Sequence, residues 1–471
     1  MSDIAYLDAT AQKQLIDKRE ISPYELTEHY IERIEELNPE LNAVVHTMFD
    51  EALEQAKRYK PNSSLFGGLP FLIKDLNNIK GHPTTSGSKL MDGFTAGEDD
   101  VFVKRYREAG MSFLGKTNTP EFGFLPTTEP DHLGATKNPW ALDRSAGGSS
   151  GGAAAAVASG MAPFAHASDG GGSIRIPASA CGLFGYKPSR GQVPYGMYMN
   201  NFGVNHALTK SVRDSAGLLD IIKGPGPGES YPPLPARTPL LPNIVQDPGR
   251  LKIAVDPDWK GRVSISEEAR EAVSHAVLLL ESLGHEIEYQ PLPFDFEAFA
   301  NHFITSWIAG GSLLIKHMAG LVDVQPTKEN LESISYHVYN LGSQLSASDY
   351  EEARVMLMRE SQKIHSFHQQ YDILLTPVLN GLPAVLDTFS NGNDAPKDML
   401  YNFTDICSFT PIANVTGQPA MSVPLYWTEK GLPVGVQFTG RLGEDDLMFR
   451  LAAQLENAQA WQSHYDNLNR Y

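Results

Sequence analysis

The segment from Gly147 to Ser173 constrains this chain more than any other. Gly-Gly-Ser-Ser-Gly-Gly at 147–152 runs directly into Ala153-Ala154-Ala155-Ala156-Val157-Ala158. Ser168-Asp169-Gly170-Gly171-Gly172-Ser173 follows, closed by Ile174-Arg175-Ile176-Pro177. A glycine–serine run on its own reads as a loop or linker. Here the runs border an alanine-rich helix that can pack closely and isoleucines that require burial, so both read as backbone held tightly in a core. Adjacent glycines also expose N–H groups that can meet an anion. The Gly-Lys-Ser/Thr ending of a nucleotide-phosphate loop is missing, which argues against a nucleotide site.

The rest of the chain alternates helix and strand patterns, which predicts an α/β fold. Residues 8–20 carry apolar residues at helical spacing. Ser22-Pro23-Tyr24-Glu25 reads as an N-cap, first-turn proline and capping-box glutamate, opening a helix that Asn38-Pro39 should stop at about Leu37. With a further helix over 48–59, a helical arm of about 60 residues is expected. The body should begin at Gly67-Gly68-Leu69-Pro70, feeding a strand that ends at Lys74-Asp75. Further strands are predicted near 112–116, 252–255, 285–289, 372–377, 420–424 and 434–438, and helices over 100–110, 152–159, 212–222, 266–284 and 445–455. The helix over 266–284 is expected to bury Leu278, Leu279 and Leu280. Residues 294–365 read as a mainly helical insertion, the proline-rich stretch 225–239 as an extended surface connection, and 387–397 as a polar loop. The organisation expected is one domain over 1–471, carrying the arm and the insertion.

At 471 residues the chain exceeds the size at which one core usually stops growing, so length alone fits one large domain with insertions as well as two or three small ones. A formal net charge of −18 argues against nucleic acid or an anionic membrane as partner. Two cysteines, Cys181 and Cys407, build neither a disulfide framework nor a metal cluster. Cys181, beside a glycine turn, reads as a packing residue. The N-terminus has no basic head with an apolar core behind it, and the stretch from Gly151 to Ala165 is too short to span a bilayer. A cytoplasmic protein with no cofactor and no metal is expected, with a homodimer as the default assembly.

The chemistry follows from Lys74 and the serines. A serine hydroxyl attacks poorly until a base takes its proton. A lysine can be that base only when neutral, and burial among Phe71, Leu72 and Ile73 would lower its pKa in that direction. Glycines beside a serine would let backbone N–H groups approach an oxyanion. The motifs resemble those of the amidase signature family: Gly-Gly-Ser-Ser-Gly-Gly, Ser-Asp-Gly-Gly-Gly-Ser-Ile-Arg-Ile-Pro-Ala and Cys-Gly-Leu-Phe-Gly-Tyr-Lys-Pro-Ser-Arg-Gly occur in order. Pro70-Phe71-Leu72-Ile73-Lys74-Asp75, Gly115-Lys116-Thr117-Asn118 and Asn414-Val415-Thr416-Gly417-Gln418-Pro419 extend the likeness over nearly the whole chain. The resemblance implies a central mixed, twisted sheet flanked by helices, and hydrolysis of a carboxylic amide through an acyl-enzyme. It implies Ser173 as nucleophile, Ser149 as bridging serine after a cis Gly148–Ser149 bond, and Lys74 as base. Gly170, Gly171, Gly172 and Ser173 would supply the oxyanion hole, supported by Asp169 and Arg175.

The resemblance gives the reaction better than the substrate. The glutamine-hydrolysing subunit of the tRNA-dependent amidotransferases is the alternative reading. That branch carries an aspartate seven residues before the asparagine of Asn-x-x-Gly-x-Pro, where this chain has Cys407. Thr127-Thr128-Glu129-Pro130 and Gly134-Ala135-Thr136-Lys137-Asn138-Pro139-Trp140 look more like the stand-alone bacterial amidases, including those that open cyclic aminohexanoate dimers. Phe122, Phe124, Tyr195, Phe202 and Trp307 are expected to line the pocket and to favour an apolar acyl group on a small-molecule amide.

Overall fold

Thirteen strands organise the computed structural model, which describes residues 2–61, 64–196, 199, 202–229, 231, 239–389 and 405–468. They are β1 (Val44–Thr47), β2 (Pro70–Lys74), β3 (Ser112–Thr117), β4 (Lys137–Asn138), β5 (Ala141–Ser145), β6 (Phe164–Asp169) and β7 (Phe184–Lys187). β8 (Val204–Thr209), β9 (Lys252–Val255), β10 (Glu286–Tyr289), β11 (Ile373–Pro377), β12 (Ala420–Trp427) and β13 (Pro433–Gly440) follow. Eleven form one sheet in the order β1-β3-β2-β6-β8-β7-β12-β13-β11-β9-β10, and β4 and β5 pair separately. The sheet is mixed: β3-β2-β6 and β11-β9-β10 run parallel, and the other neighbours are antiparallel. Helices flank it, so the predicted α/β class and mixed sheet are observed.

Two parallel strands position the chemistry. β2, β3 and β6 are buried along their whole length, as strands covered on both faces must be. Leu72 of β2 pairs with Ala165 of β6 in parallel register, so Lys74 and Asp169 end neighbouring strands on the same edge of the sheet. The helix Gly151–Ala158 packs against β6 with every residue buried. A Cβ on Gly152 would lie 2.4 Å from Asn118 N and 2.6 Å from Ala43 O, so this turn admits only glycine. The first glycine run is therefore a packing device as well as a loop.

Three expectations need correction. The helix opened by Ser22 has the predicted capping box but runs through Pro39 to Leu41. Pro39 sits in the last turn, and Asn38 Oδ1 accepts from the N–H groups of Ala43 and Val44 at 2.8 Å. The arm is not purely helical: β1 leaves it to pair antiparallel with β3 at the sheet edge. In the helix Glu267–Ser282, Leu280 is buried, but Leu278 is 66% exposed. At 100° per residue three consecutive leucines cannot share one face. β6, β7 and β8 were not anticipated, and β6 leads into Ser173.

Three helices, Phe296–Val322, Ser333–Gln344 and Ala347–Phe367, occupy the segment read as an insertion. Ile304, Ile308, Ile315 and Val338 pack on Phe122, Phe124 and Leu125, which places this layer over the sheet edge that carries Lys74. Residues 232–238, and most of the loop expected at 387–397, lie outside the described residues. No helix among the described residues is long and apolar enough to cross a membrane.

Candidate active site

Lys74 is fully buried at the end of β2. Its Nζ lies 2.7 Å from Ser149 Oγ, 2.9 Å from Ser150 Oγ and 3.3 Å from Ser168 Oγ. Burial strips water from the ammonium and pulls its pKa down to about 7, against the attraction of nearby Asp169. The Gly148–Ser149 peptide bond is cis, as the resemblance implied. Ser150 and Ser168 were not singled out from the sequence. Their only signal was position: one is the second residue of the serine pair, and the other precedes Asp169.

The aspartate after Lys74 is turned to another partner. Side chains alternate along a strand, so Asp75 faces away from Lys74. It pairs with buried Lys116 of β3, whose Nζ lies 2.8 Å from Asp75 Oδ1 and donates to Pro83 O and Thr84 Oγ1, both at 2.7 Å. Thr85 donates its N–H and its hydroxyl to the same carboxylate. The negative charge nearest in sequence to Lys74 is thereby matched by a cation.

The second glycine run is a loop closed around a buried ion pair. Asp169 Oδ1 accepts from Gly172 N at 2.8 Å, Asn414 Nδ2 at 2.8 Å and an Arg175 Nη at 2.9 Å. Its Oδ2 accepts from Ile174 N at 3.2 Å and Arg175 Nε at 3.0 Å. Arg175 also donates to Thr410 O, Gln437 Oε1 and Asn414 Oδ1 at 2.6 to 2.8 Å. Burial alone would raise the Asp169 pKa, but Arg175 and Asn414 overcome it and hold the carboxyl down at about 2. Gly172 has φ 136°, and a Cβ there would lie 2.3 Å from Thr410 Oγ1. One expectation changes here. Gly172 N–H is turned inward to Asp169, which leaves Gly170, Gly171 and Ser173 as the oxyanion-facing candidates.

Two cavities meet at Ser173. The larger, of 370 Å³, is lined by Ser149, Ser168 and Gly170, and by the predicted Phe122, Phe124, Tyr195 and Trp307. The smaller, of 80 Å³, is lined by Leu125, Pro126, Ile176, Ile304 and Cys407, with Phe124 and Trp307 shared. Phe202 is corrected: it lines a separate cavity and packs on Phe303 at 5.4 Å between ring centroids. Its carbonyl accepts from Asn414, which ties it to the support of the loop rather than to the pocket beside Ser173. Cys181 is fully buried, as its packing role requires.

Three serines thus gather around a buried amine at the carboxyl edge of a mixed sheet, next to a cavity. The family model for amidases matches residues 25–449. The 6-aminohexanoate-cyclic-dimer hydrolase of Paenarthrobacter ureafaciens is 35% identical, over 96% of this chain and 95% of the relative. The solved structure of a 6-aminohexanoate cyclic dimer hydrolase superposes with a TM-score of 0.93 at 33% identity, over 99% of both chains. A glutamyl-tRNA(Gln) amidotransferase subunit from Thermotoga maritima gives 0.77 at 29% identity, over 97% of this chain and 96% of that one. The chain belongs to the amidase signature family and is a hydrolase acting on amide C–N bonds.

Proposed function

We propose that the protein hydrolyses a carboxylic amide through a Ser173–Ser149–Lys74 relay and an acyl-enzyme. The observation that carries this reading is the buried Lys74 amine 2.7 Å from Ser149 Oγ, with Ser149 and Ser173 on one cavity. A neutral amine has two N–H donors and one lone pair. With three serine oxygens around it, the lone pair can accept the Ser149 proton while Ser149 accepts the proton of Ser173. Ser173 Oγ attacks the carbonyl carbon, and the N–H groups of Gly170, Gly171 and Ser173 face the oxyanion. Ser149 then returns a proton to the leaving nitrogen, the C–N bond breaks, and water releases the carboxylate by the same path. The test is rapid-quench kinetics with an anilide. A burst of aniline equal to the enzyme concentration, with the acyl mass on the peptide containing Ser173, is expected; linear release with no acylated peptide would overturn the mechanism.

The Lys116–Asp75 pair bears on the same base. Lys116→Gln removes the cation that matches Asp75, and the uncompensated carboxylate, although it faces away from Lys74, should favour the ammonium through the low-dielectric interior. The acidic limb of the kcat/KM profile should move to higher pH by about one pH unit. Lys116→Gln combined with Asp75→Asn should return it. A limb that stays in place in Lys116→Gln would show that the pair acts on folding alone.

Cys407 supports a stand-alone amidase over the glutamine-hydrolysing alternative. It lines the small cavity among Ile176, Ile304 and Pro411, where burial pushes its thiol pKa up to about 12. Such a wall suits a neutral acyl group, and the likeness to cyclic-dimer hydrolases supports an unactivated aliphatic amide. Cys407→Asp should lower kcat/KM for butanamide about 100-fold by burying a carboxylate beside the acyl chain. Equal rates for both proteins would remove the acyl group from this cavity.

A further inference from the structure

The two cavities at Ser173 differ in what they can hold. Ser149 lines only the larger one. Since Ser149 returns the proton to the leaving nitrogen, the amine portion of the substrate occupies the larger cavity and the acyl portion the smaller. This assignment rests on the relay proposed above. The larger cavity has an alkyl-compatible wall from Leu314, Met318 and Leu321, and a polar wall from Asn77, Ser86 and Asp100.

Two oxygens of the polar wall lack donors, although Asn78, Tyr195, Asn205 and His317 also line the cavity. Asp100 Oδ2 accepts from Asn77 Nδ2 at 3.0 Å and Asn78 N at 3.1 Å. Asn77 Oδ1 and Ser86 Oγ are buried with no hydrogen-bond partner among the described residues. Buried polar oxygens are normally satisfied, and an orphan costs more than a lost bond. Burial raises the Asp100 pKa, opposed by the hydrogen bonds from Asn77 and Asn78 and then by Lys116, with Asp99 adding to the rise. A carboxylate and two unmatched oxygens on the same cavity as Leu314, Met318 and Leu321 fit one chemistry. We propose that Asp100, with Asn77 and Ser86, is the subsite for the amine portion of the substrate, which is an alkyl chain ending in an ammonium group.

Two isosteric substrates test this: N-(5-aminopentyl)butanamide and N-hexylbutanamide, which share an acyl group and differ by a terminal ammonium against a methyl. The wild-type enzyme should favour the cationic amide by about ten-fold or more in kcat/KM, the worth of one charge-assisted contact. Asp100→Asn should bring the ratio close to one. A wild-type ratio of one, or a preference that Asp100→Asn leaves intact, would overturn the proposal. Should that variant fail to fold, competitive inhibition of the wild-type enzyme decides: 1,5-diaminopentane should bind about ten-fold more tightly than 1-pentanol, and equal inhibition constants count against the subsite. Hydrolysis of N-hexylbutanamide that persists in Ser173→Ala would overturn the catalytic reading instead, and leaves the substrate ratio to be judged separately.

Discussion

Ser173→Ala and Lys74→Met should each lower kcat at least about 1,000-fold, and the double variant should be no slower than either. The first removes the attacking oxygen. The second removes the group that accepts its proton while keeping a side chain of similar length in the buried slot. If serines and lysine work as one relay, losing either member stops the same step, so the effects do not add. Additive losses would mean that Lys74 acts only on the fold. The pH dependence carries a further signature. Lys74 must be neutral to accept a proton, and burial holds its pKa at about 7. kcat/KM should therefore rise with pH through a limb near 7 and level off above it, the direction expected for a base. Asp169, which opposes the depression, stays ionised throughout that range, and buried His166 sits far below it, so neither supplies the limb. A profile flat from pH 5 to 9 would exclude Lys74 as the base.

Much of this site was legible because its chemistry is concentrated in short segments. Lys74, Ser149 and Ser173 lie in motifs where residue type and order together point to amide hydrolysis. The capping box at Ser22 and the parallel strands near Lys74 follow from local rules of helix ends and apolar runs. What stayed hidden depends on partners distant in sequence. Lys116 reads as one charged residue within a strand until β2 and β3 pair and bring it to Asp75. β6 was missed because Phe164-Ala165-His166-Ala167-Ser168-Asp169 lacks the β-branched residues that mark strands; it is a strand because β2 and β8 flank it. Phe202 was placed in the pocket by its aromatic character, yet its backbone carbonyl, bonded to Asn414, decides where it sits. Gly172 shows the same limit: nothing local says that its N–H turns to Asp169 rather than outward.

Arg175→Met should cost about 3–5 kcal/mol of stability, the range for breaking one side of a buried ion pair. The guanidinium is fully buried and bonds Asp169, Thr410, Asn414 and Gln437, so it joins the loop before Ser173 to two distant segments, the helix start that carries Thr410 and Asn414, and β13. Methionine fills the slot but leaves the Asp169 carboxylate without its counter-charge. Gly172 N–H and Ile174 N–H remain on Asp169, and they do not replace a cation. The sign of the acid response follows from the same pair. The folded pKa of Asp169, about 2, lies below its ordinary value of 3.8, so the unfolded chain binds the proton more readily. Its contribution is present above about pH 4 and is lost as pH falls through 2. Without Arg175, burial dominates, the folded pKa rises above the unfolded one, and this group then destabilises the fold at neutral pH and relaxes as acid protonates it. Urea unfolding at pH 7 and pH 4 distinguishes the cases: the deficit of the variant should be large at pH 7 and smaller at pH 4. A deficit equal at both would mean that Arg175 acts through packing alone, and that the loop carrying Ser173 is not held by charge.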